Sequence, residues 1–164
     1  MVRRIQAVLQ YDGSSYQGWQ IQRSGSTIQG VLQECIFRIT AERTTVVGAG
    51  RTDAGVHALG QVAAFDSGSA LPLDVMKRAL NAVLPEDIRV MDIREVGRDF
   101  DPRYHARSKR YVYLIANMRD VPVFIRKYTW QVTVPLDLDA MRSASECLVG
   151  RHDFSSFRGA GCGA

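Results

Sequence analysis

The sequence predicts an α+β protein whose first half is a ferredoxin-like (RRM-like) β-α-β-β-α-β unit with an antiparallel sheet. Three observations carry that expectation. Two amphipathic helical stretches alternate with short apolar runs of period two. Their order is strand, helix, strand, strand, helix, strand, the split pattern that places both helices on one face of a sheet. A glycine-rich polar loop joins the two middle strands.

Residues 3–11 alternate, with Ile5, Ala7, Leu9 and Tyr11 on one face, and Asp12-Gly13 ends the run in a turn. Residues 12–25 form a loop rich in Gly, Ser and Gln, whose aromatics Tyr16 and Trp19 are expected to anchor it to the core. Ser26-Thr27-Ile28-Gln29 reads as a capping box. Behind it Ile28, Val31, Leu32, Cys35, Ile36 and Ile39 fall at helical spacing, an amphipathic stripe that belongs to the scaffold. Burying such side chains contributes on the order of 1.5–3 kcal/mol each before entropy. Val46-Val47 leads into the central loop, and residues 60–66 form the strand after it. Leu71-Pro72-Leu73-Asp74 opens a second helix with Met76, Ala79, Leu80 and Val83 inward, and Leu84-Pro85 stops it. Residues 88–96 return as a strand.

The second half reads as an incomplete second α+β unit. Tyr111 to Ala116 is expected to be a strand, Asn117 to Val123 a loop, and Lys127 to Val134 another strand. Asp137 caps a helix that turns Leu138, Met141, Ala144 and Leu148 inward and ends at Gly150. The domain organisation is therefore an N-terminal α+β domain over 1–97, a linker over 98–110, and the start of a second α+β domain over 111–164.

The composition is that of an ordinary soluble globular chain, with 46% hydrophobic and 23% charged residues. The net charge of +4 permits a polyanionic partner. Its clustering says more: residues 98–110 interleave Arg98, Arg103, Arg107, Lys109 and Arg110 with Phe100 and Tyr104, and Tyr111 follows. A phosphate backbone with exposed bases needs that mixture. Cys35, Cys147 and Cys162 are odd in number and widely spaced, which argues against a disulfide framework or structural zinc and fits a reducing cytoplasm. No long apolar run follows the N-terminal Met-Val-Arg-Arg, so neither a signal peptide nor a membrane span is expected.

The central loop, Val46-Val47-Gly48-Ala49-Gly50-Arg51-Thr52-Asp53-Ala54-Gly55-Val56-His57-Ala58, carries three glycines within eight residues and one Arg and one Asp among them. Three readings compete. The first is a turn whose Asp caps a helix or pairs with Arg51. The second is a phosphate loop, but the third glycine of a dinucleotide fingerprint would fall where Asp53 stands, and a carboxylate there repels a pyrophosphate. The third is a catalytic carboxylate, kept ionised by the guanidinium of Arg51 and so suited to nucleophilic attack. An Asp53–His57 dyad or a metal site would need a helical segment, and the glycines oppose one; His57 is expected to hydrogen-bond within the loop.

Gly-Arg-Thr-Asp-Ala-Gly-Val-His-Ala resembles the active-site signature of the tRNA pseudouridine synthase A family. Other segments agree: Tyr11-Asp12-Gly13, Gly18-Trp19-Gln20, Thr27-Ile28-Gln29-Gly30, Gly60-Gln61-Val62, Leu84-Pro85-Glu86-Asp87-Ile88, Ser108-Lys109-Arg110-Tyr111 and His152-Asp153-Phe154. The resemblance implies the pseudouridine synthase fold, with isomerisation of uridine to pseudouridine at positions 38 to 40 of the tRNA anticodon stem-loop, by a homodimer. It makes Asp53 the nucleophile and Arg51 its catalytic companion, and has Tyr111 pack on the target base. It also implies tRNA contacts at Phe100, Arg103, Tyr104, Arg119, Gly161 and Cys162. The reaction breaks the glycosidic C–N bond and rejoins the ribose to C5 of the uracil. It involves no redox change or phosphate hydrolysis, so no cofactor or metal is expected. Ribose C1′ and uracil C6 are both open to attack by Asp53.

Asp101 and Pro102 depart from the family pattern, which has His-Ala there; Asp101 places a negative charge at an expected RNA contact. The family also continues beyond the last residues of this chain, into strands that complete its second half. The rival expectation is therefore a basic RNA-binding module without catalysis.

Overall fold

The computed structural model of the chain describes residues 1–157. Gly161 and Cys162 lie outside the described residues. The chain divides into two units, Met1–Lys109 and Arg110 onward.

The first unit is mixed α and β with an antiparallel four-stranded sheet. Its strands are β1 (Arg3–Tyr11), β2 (Val47–Gly48), β3 (Ala58–Ser67) and β4 (Ile88–Val96), with α1 (Ile28–Thr40) after β1 and α2 (Leu73–Val83) after β3. The sheet order is β2-β3-β1-β4 and every neighbouring pair is antiparallel. Alternation in β1 puts Ile5, Ala7, Leu9 and Tyr11 into the core as expected, against Phe65 of β3 and Ile88 and Val90 of β4. The stripe on α1 buries Ile28, Leu32, Cys35 and Ile36, and α2 adds Met76 and Leu80.

The α1 cap differs from the expected box by one residue. Thr27 is the N-cap, accepting from the Gly30 N–H. Gln29 does not reach back to the cap. Its buried amide is drawn off to hold three other groups: Oε1 accepts from Gln20 Nε2 and the Ile21 N–H, and Nε2 donates to the Val46 carbonyl. Tyr16 and Trp19 are buried, so both aromatics do anchor the 12–25 loop.

The polar face of the sheet carries Arg4 and Gln6, opposite Ile5 and Ala7. The segment after β4 is tied to that face: Arg4 Nε donates to the Phe100 carbonyl, and its guanidinium also pairs with Asp66 at 3.2 Å. Pro102 is buried, and Asp101 starts a helical turn, its side chain accepting from the Arg103 N–H and its carbonyl from the N–H of Tyr104 and His105. An Asp at a cap followed by Pro at the first position is helix-start chemistry, which gives Asp101-Pro102 a structural reason.

The second unit departs from expectation. The strand anticipated over 111–116 shortens to β5 (Ile115–Ala116), and the one over 127–134 to β6 (Trp130–Gln131), paired in parallel. Between them Pro122 starts a one-turn helix, α3 (Val123–Arg126), which begins at the last residue of the expected loop and fills the unassigned stretch after it. Alternation alone stabilises a strand only where a face is covered, and Tyr111, Val112, Tyr113 and Leu114 are all exposed. Asp137 caps α4 (Leu138–Glu146), accepting from the N–H of Asp139 and Ala140. The inward face expected of that helix is not buried: Leu138, Met141 and Leu148 are exposed. Ala116 is the one buried residue among those described in this unit. No helix among the described residues is long and apolar enough to cross a membrane.

Candidate active site

Asp53 sits on the loop between β2 and β3, and Arg51 lies two residues before it; both are exposed. The loop is fastened at its base by strand pairing of Val47 and Gly48 with Ala64 and Ala63, and by the Ala49 N–H on the Val62 carbonyl. Gln61 Nε2 donates to the Gly50 carbonyl at 2.6 Å.

Its tip is fastened by the other loop, residues 12–25. The Trp19 N–H donates to the Thr52 carbonyl at 2.9 Å, and the Gly55 N–H to the Tyr16 carbonyl at 3.3 Å. Tyr11, buried at the end of β1, places its hydroxyl 2.9 Å from Thr52 Oγ1. Burial pushes the Tyr11 phenol up, and hydrogen bonds with Thr52 and Gln61 offset part of that rise. A turn closed by the Val56 N–H on the Asp53 carbonyl, 3.2 Å, sits between these anchors.

Two glycines make the approach of the loops possible. A Cβ on Gly18 would stand 2.5 Å from the Thr52 carbonyl oxygen, and Gly18 has φ +84° besides. A Cβ on Gly13 would stand 2.0 Å from the Val56 carbonyl oxygen. Backbone therefore meets backbone, and Arg51 and Asp53 stay exposed while Thr52 is half-buried against Tyr11.

Among the described residues, neither the Asp53 carboxylate nor the Arg51 guanidinium has a hydrogen-bond or ion-pair partner. The ion pair between them that the sequence offered as one reading is not formed. Nor is the Asp53–His57 dyad. His57 Nδ1 points instead to the neighbouring loop, 3.2 Å from the Gly13 N and 3.1 Å from Asp12 Oδ1. Nδ1 accepts from Gly13 when it carries no proton and donates to Asp12 when it does. Lys109 lies near this loop, its Nζ 3.3 Å from the place of a Cβ on Gly50.

The basic, aromatic segment forms a second cluster in the same unit. Arg103 grips Asp101, Nη2 to Oδ2 at 2.6 Å and Nε to Oδ1 at 3.1 Å, and lies 5.3 Å from the Tyr104 ring centre. That guanidinium lowers the Asp101 carboxyl to about 2. The Phe100 and His105 rings are 5.2 Å apart. Tyr104 is exposed and Phe100 half-buried. Tyr111 and Arg119 belong to the second unit, where both are exposed. No cluster of three His, Cys, Asp or Glu side chains arranged for a metal ion occurs among the described residues.

The structure thus gathers Arg51 and Asp53 on one clamped loop and Phe100, Arg103 and Tyr104 in another cluster. Tyr11, Gly13, Gly18 and Thr52 stand in segments that carry the resemblance, but the sequence alone gives them no role in clamping the loop. Two glycines bracketing the anchoring Tyr16 were the available signal.

The family model described as tRNA pseudouridine synthase matches residues 7–105, a span that contains the loop, its clamp and the Arg103 cluster. The chain is 49% identical over 161 residues to a protein of Myxococcus xanthus named tRNA pseudouridine synthase A, covering 98% of this chain and 61% of that relative. A protein of the same name from Syntrophomonas wolfei is 48% identical over 161 residues, covering 98% and 65%. One from Thermoanaerobacter sp. is 42% identical over 160 residues, covering 98% and 66%. The chain spans less than two thirds of the length of these relatives. Through the matched span that holds Asp53 and its clamp, the chain belongs to the tRNA pseudouridine synthase family.

Proposed function

We propose that this chain isomerises uridine to pseudouridine in the anticodon stem-loop of tRNA, at positions 38 to 40, with Asp53 as the nucleophile. The observation that carries the proposal is a carboxylate with no partner among the described residues, presented to solvent on a loop whose backbone is fixed from both sides, in a chain of this family. A nucleophile must be ionised, uncommitted and held still, and Asp53 meets the geometric part of that demand. Asp53 attacks ribose C1′ or uracil C6 and the glycosidic N1–C1′ bond breaks; the uracil turns, C5 bonds to C1′, the bond to Asp53 breaks to return its carboxylate, and C5 loses a proton while N1 gains one. Arg51 stabilises charge beside the nucleophile and fills space left by the extruded base. Tyr111 stacks on the target base, an interaction worth roughly 1–3 kcal/mol. Phe100, Arg103, Tyr104, Arg119, Gly161 and Cys162 contact the tRNA. The chain acts as a homodimer in the cytoplasm, without metal or cofactor.

The order β2-β3-β1-β4, with each helix following a strand, supports the ferredoxin-like arrangement for the first unit. A domain division near residues 98–110 is part of the same proposal, in keeping with the boundary between Lys109 and Arg110, with the second domain assigned to the pseudouridine synthase fold.

One observation favours a second reading, a basic RNA-binding module without catalysis. The second unit exposes Tyr111, Tyr113, Phe124, Trp130 and Phe157, and buries only Ala116 among its described residues. The test is incubation of the chain with unmodified tRNA, mapping pseudouridine chemically, beside Asp53→Asn. Product at the anticodon arm from the unsubstituted chain alone supports the isomerase. Binding without product from either chain supports the module.

A further inference from the structure

We infer that Tyr11 and Thr52 form a positioning pair for Asp53, an inference that rests on the isomerase reading. The Asp53 carboxylate has no partner among the described residues, so its direction depends on the backbone that carries it. That backbone is held on one side by Thr52. Two contacts fix Thr52: its carbonyl accepts from the Trp19 N–H, and its hydroxyl meets the Tyr11 hydroxyl at 2.9 Å. On the other side the Gly55 N–H reaches the Tyr16 carbonyl. The Trp19 and Tyr16 contacts use main chain; the Tyr11–Thr52 contact is the one made by side chains.

Tyr11 is placed for this task by an irregularity in the sheet. Between Leu9↔Gln61 and Tyr11↔Ala58 the register shifts, β3 advancing three residues against two on β1. Such a bulge re-aims a strand's side chains. The Tyr11 ring stays in the core, 6.4 Å from Trp19, while the hydroxyl reaches Thr52. Gln61, at the edge of the same bulge, holds the Gly50 carbonyl. Tyr11 need not touch the tRNA; it acts through Thr52 on the aim of Asp53.

Two conservative substitutions test this in the full chain. Tyr11→Phe keeps the core ring and removes the hydroxyl; Thr52→Val keeps the branched shape and removes the partner. Each is expected to lower kcat for pseudouridine formation by roughly 10- to 100-fold while KM for tRNA stays close to that of the unsubstituted chain, since small misplacement of a reacting group has that cost. Thr52→Ser, which keeps a hydroxyl, is expected to restore most of kcat. The double variant is expected to be no slower than Tyr11→Phe alone, because Tyr11→Phe already removes the contact that Thr52→Val removes, along with the Gln61 contact of the hydroxyl. A Tyr11→Phe chain with undiminished kcat, or two losses that multiply, would overturn the pairing. Amide hydrogen exchange gives a readout independent of turnover. In Tyr11→Phe the Trp19, Gly55 and Val56 amides are expected to exchange faster while those of β1 and β3 stay protected; unchanged exchange would also overturn it. If the unsubstituted chain makes no product, the isomerase reading fails, and exchange alone then decides whether Tyr11 holds the loop.

Discussion

The carbonyl oxygen of Thr52 occupies the space that a side chain on Gly18 would need, 2.5 Å from the position of its Cβ. The two residues belong to different loops, and their backbones meet because residue 18 has no side chain. The Trp19 N–H then closes a hydrogen bond on that same oxygen.

Gly18→Ala is expected to cost about 1–3 kcal/mol, from the left-handed backbone and the overlap with main chain together. Urea unfolding measures it. Activity should fall further than stability accounts for, because the displaced atom adjoins Asp53.

Asp101→Asn is expected to tighten tRNA binding. In the unsubstituted chain the Arg103 guanidinium is committed to Asp101 through two of its nitrogens. Freed, it gains a phosphate partner, and the slope of log affinity against log salt should steepen by about 1. Binding isotherms at several salt concentrations check this; an unchanged slope would mean that Arg103 does not face RNA.

The same pair has a defined pH behaviour. Arg103 holds the Asp101 carboxyl at about 2, below the usual value of about 3.9. A lowered carboxyl pKa stabilises the fold above the unfolded value and loses that contribution as pH falls toward the folded one. The effect is small for so exposed a pair, and it lies well below neutral pH. Carboxyl carbon titration by NMR should give a midpoint near 2 for Asp101, returning toward the usual value in Arg103→Gln.

Tyr16 donates to Asp87 Oδ1 at 2.6 Å, and burial together with that carboxylate pushes its phenol well above the ordinary range. A raised pKa gives stability that is complete below about 10 and lost as pH rises beyond it. Tyr16→Phe should cost about 1.5–3 kcal/mol at neutral pH, as a hydrogen bond to a charged group does. It should also flatten the alkaline fall in the urea midpoint, which unfolding between neutral and strongly alkaline pH would reveal.

The parts of the fold legible in the sequence are those set by local periodicity over a buried face. The stripe from Ile28 to Ile39 and the alternation from Ile5 to Tyr11 fall where spacing puts them. The cap moved from Ser26 to Thr27 because Gln29 serves Gln20, Ile21 and Val46, partners no local pattern announces. In the second unit the alternation around Tyr113 predicts a strand, but Tyr111 to Leu114 are exposed and, among the described residues, only Ile115–Ala116 pairs there. For the site, the signature around Asp53 was readable because it is contiguous. The hold of Tyr11 on Thr52 and the passage of Gly13 and Gly18 under the loop join segments far apart in the chain. Spacing alone offers Arg51 as a partner for Asp53; the loop conformation leaves both groups without a partner among the described residues.

The central claim is that the Asp53 carboxylate on its clamped loop forms pseudouridine. Forming the C5–C1′ bond expels the C5 hydrogen of the target uracil, so tRNA carrying tritium at that carbon reports the reaction directly. Tritium should appear in solvent with the unsubstituted chain in a single turnover and not with Asp53→Asn, while both bind the tRNA. Equal release from the two chains would contradict the role of Asp53, and no release from either would contradict the activity itself.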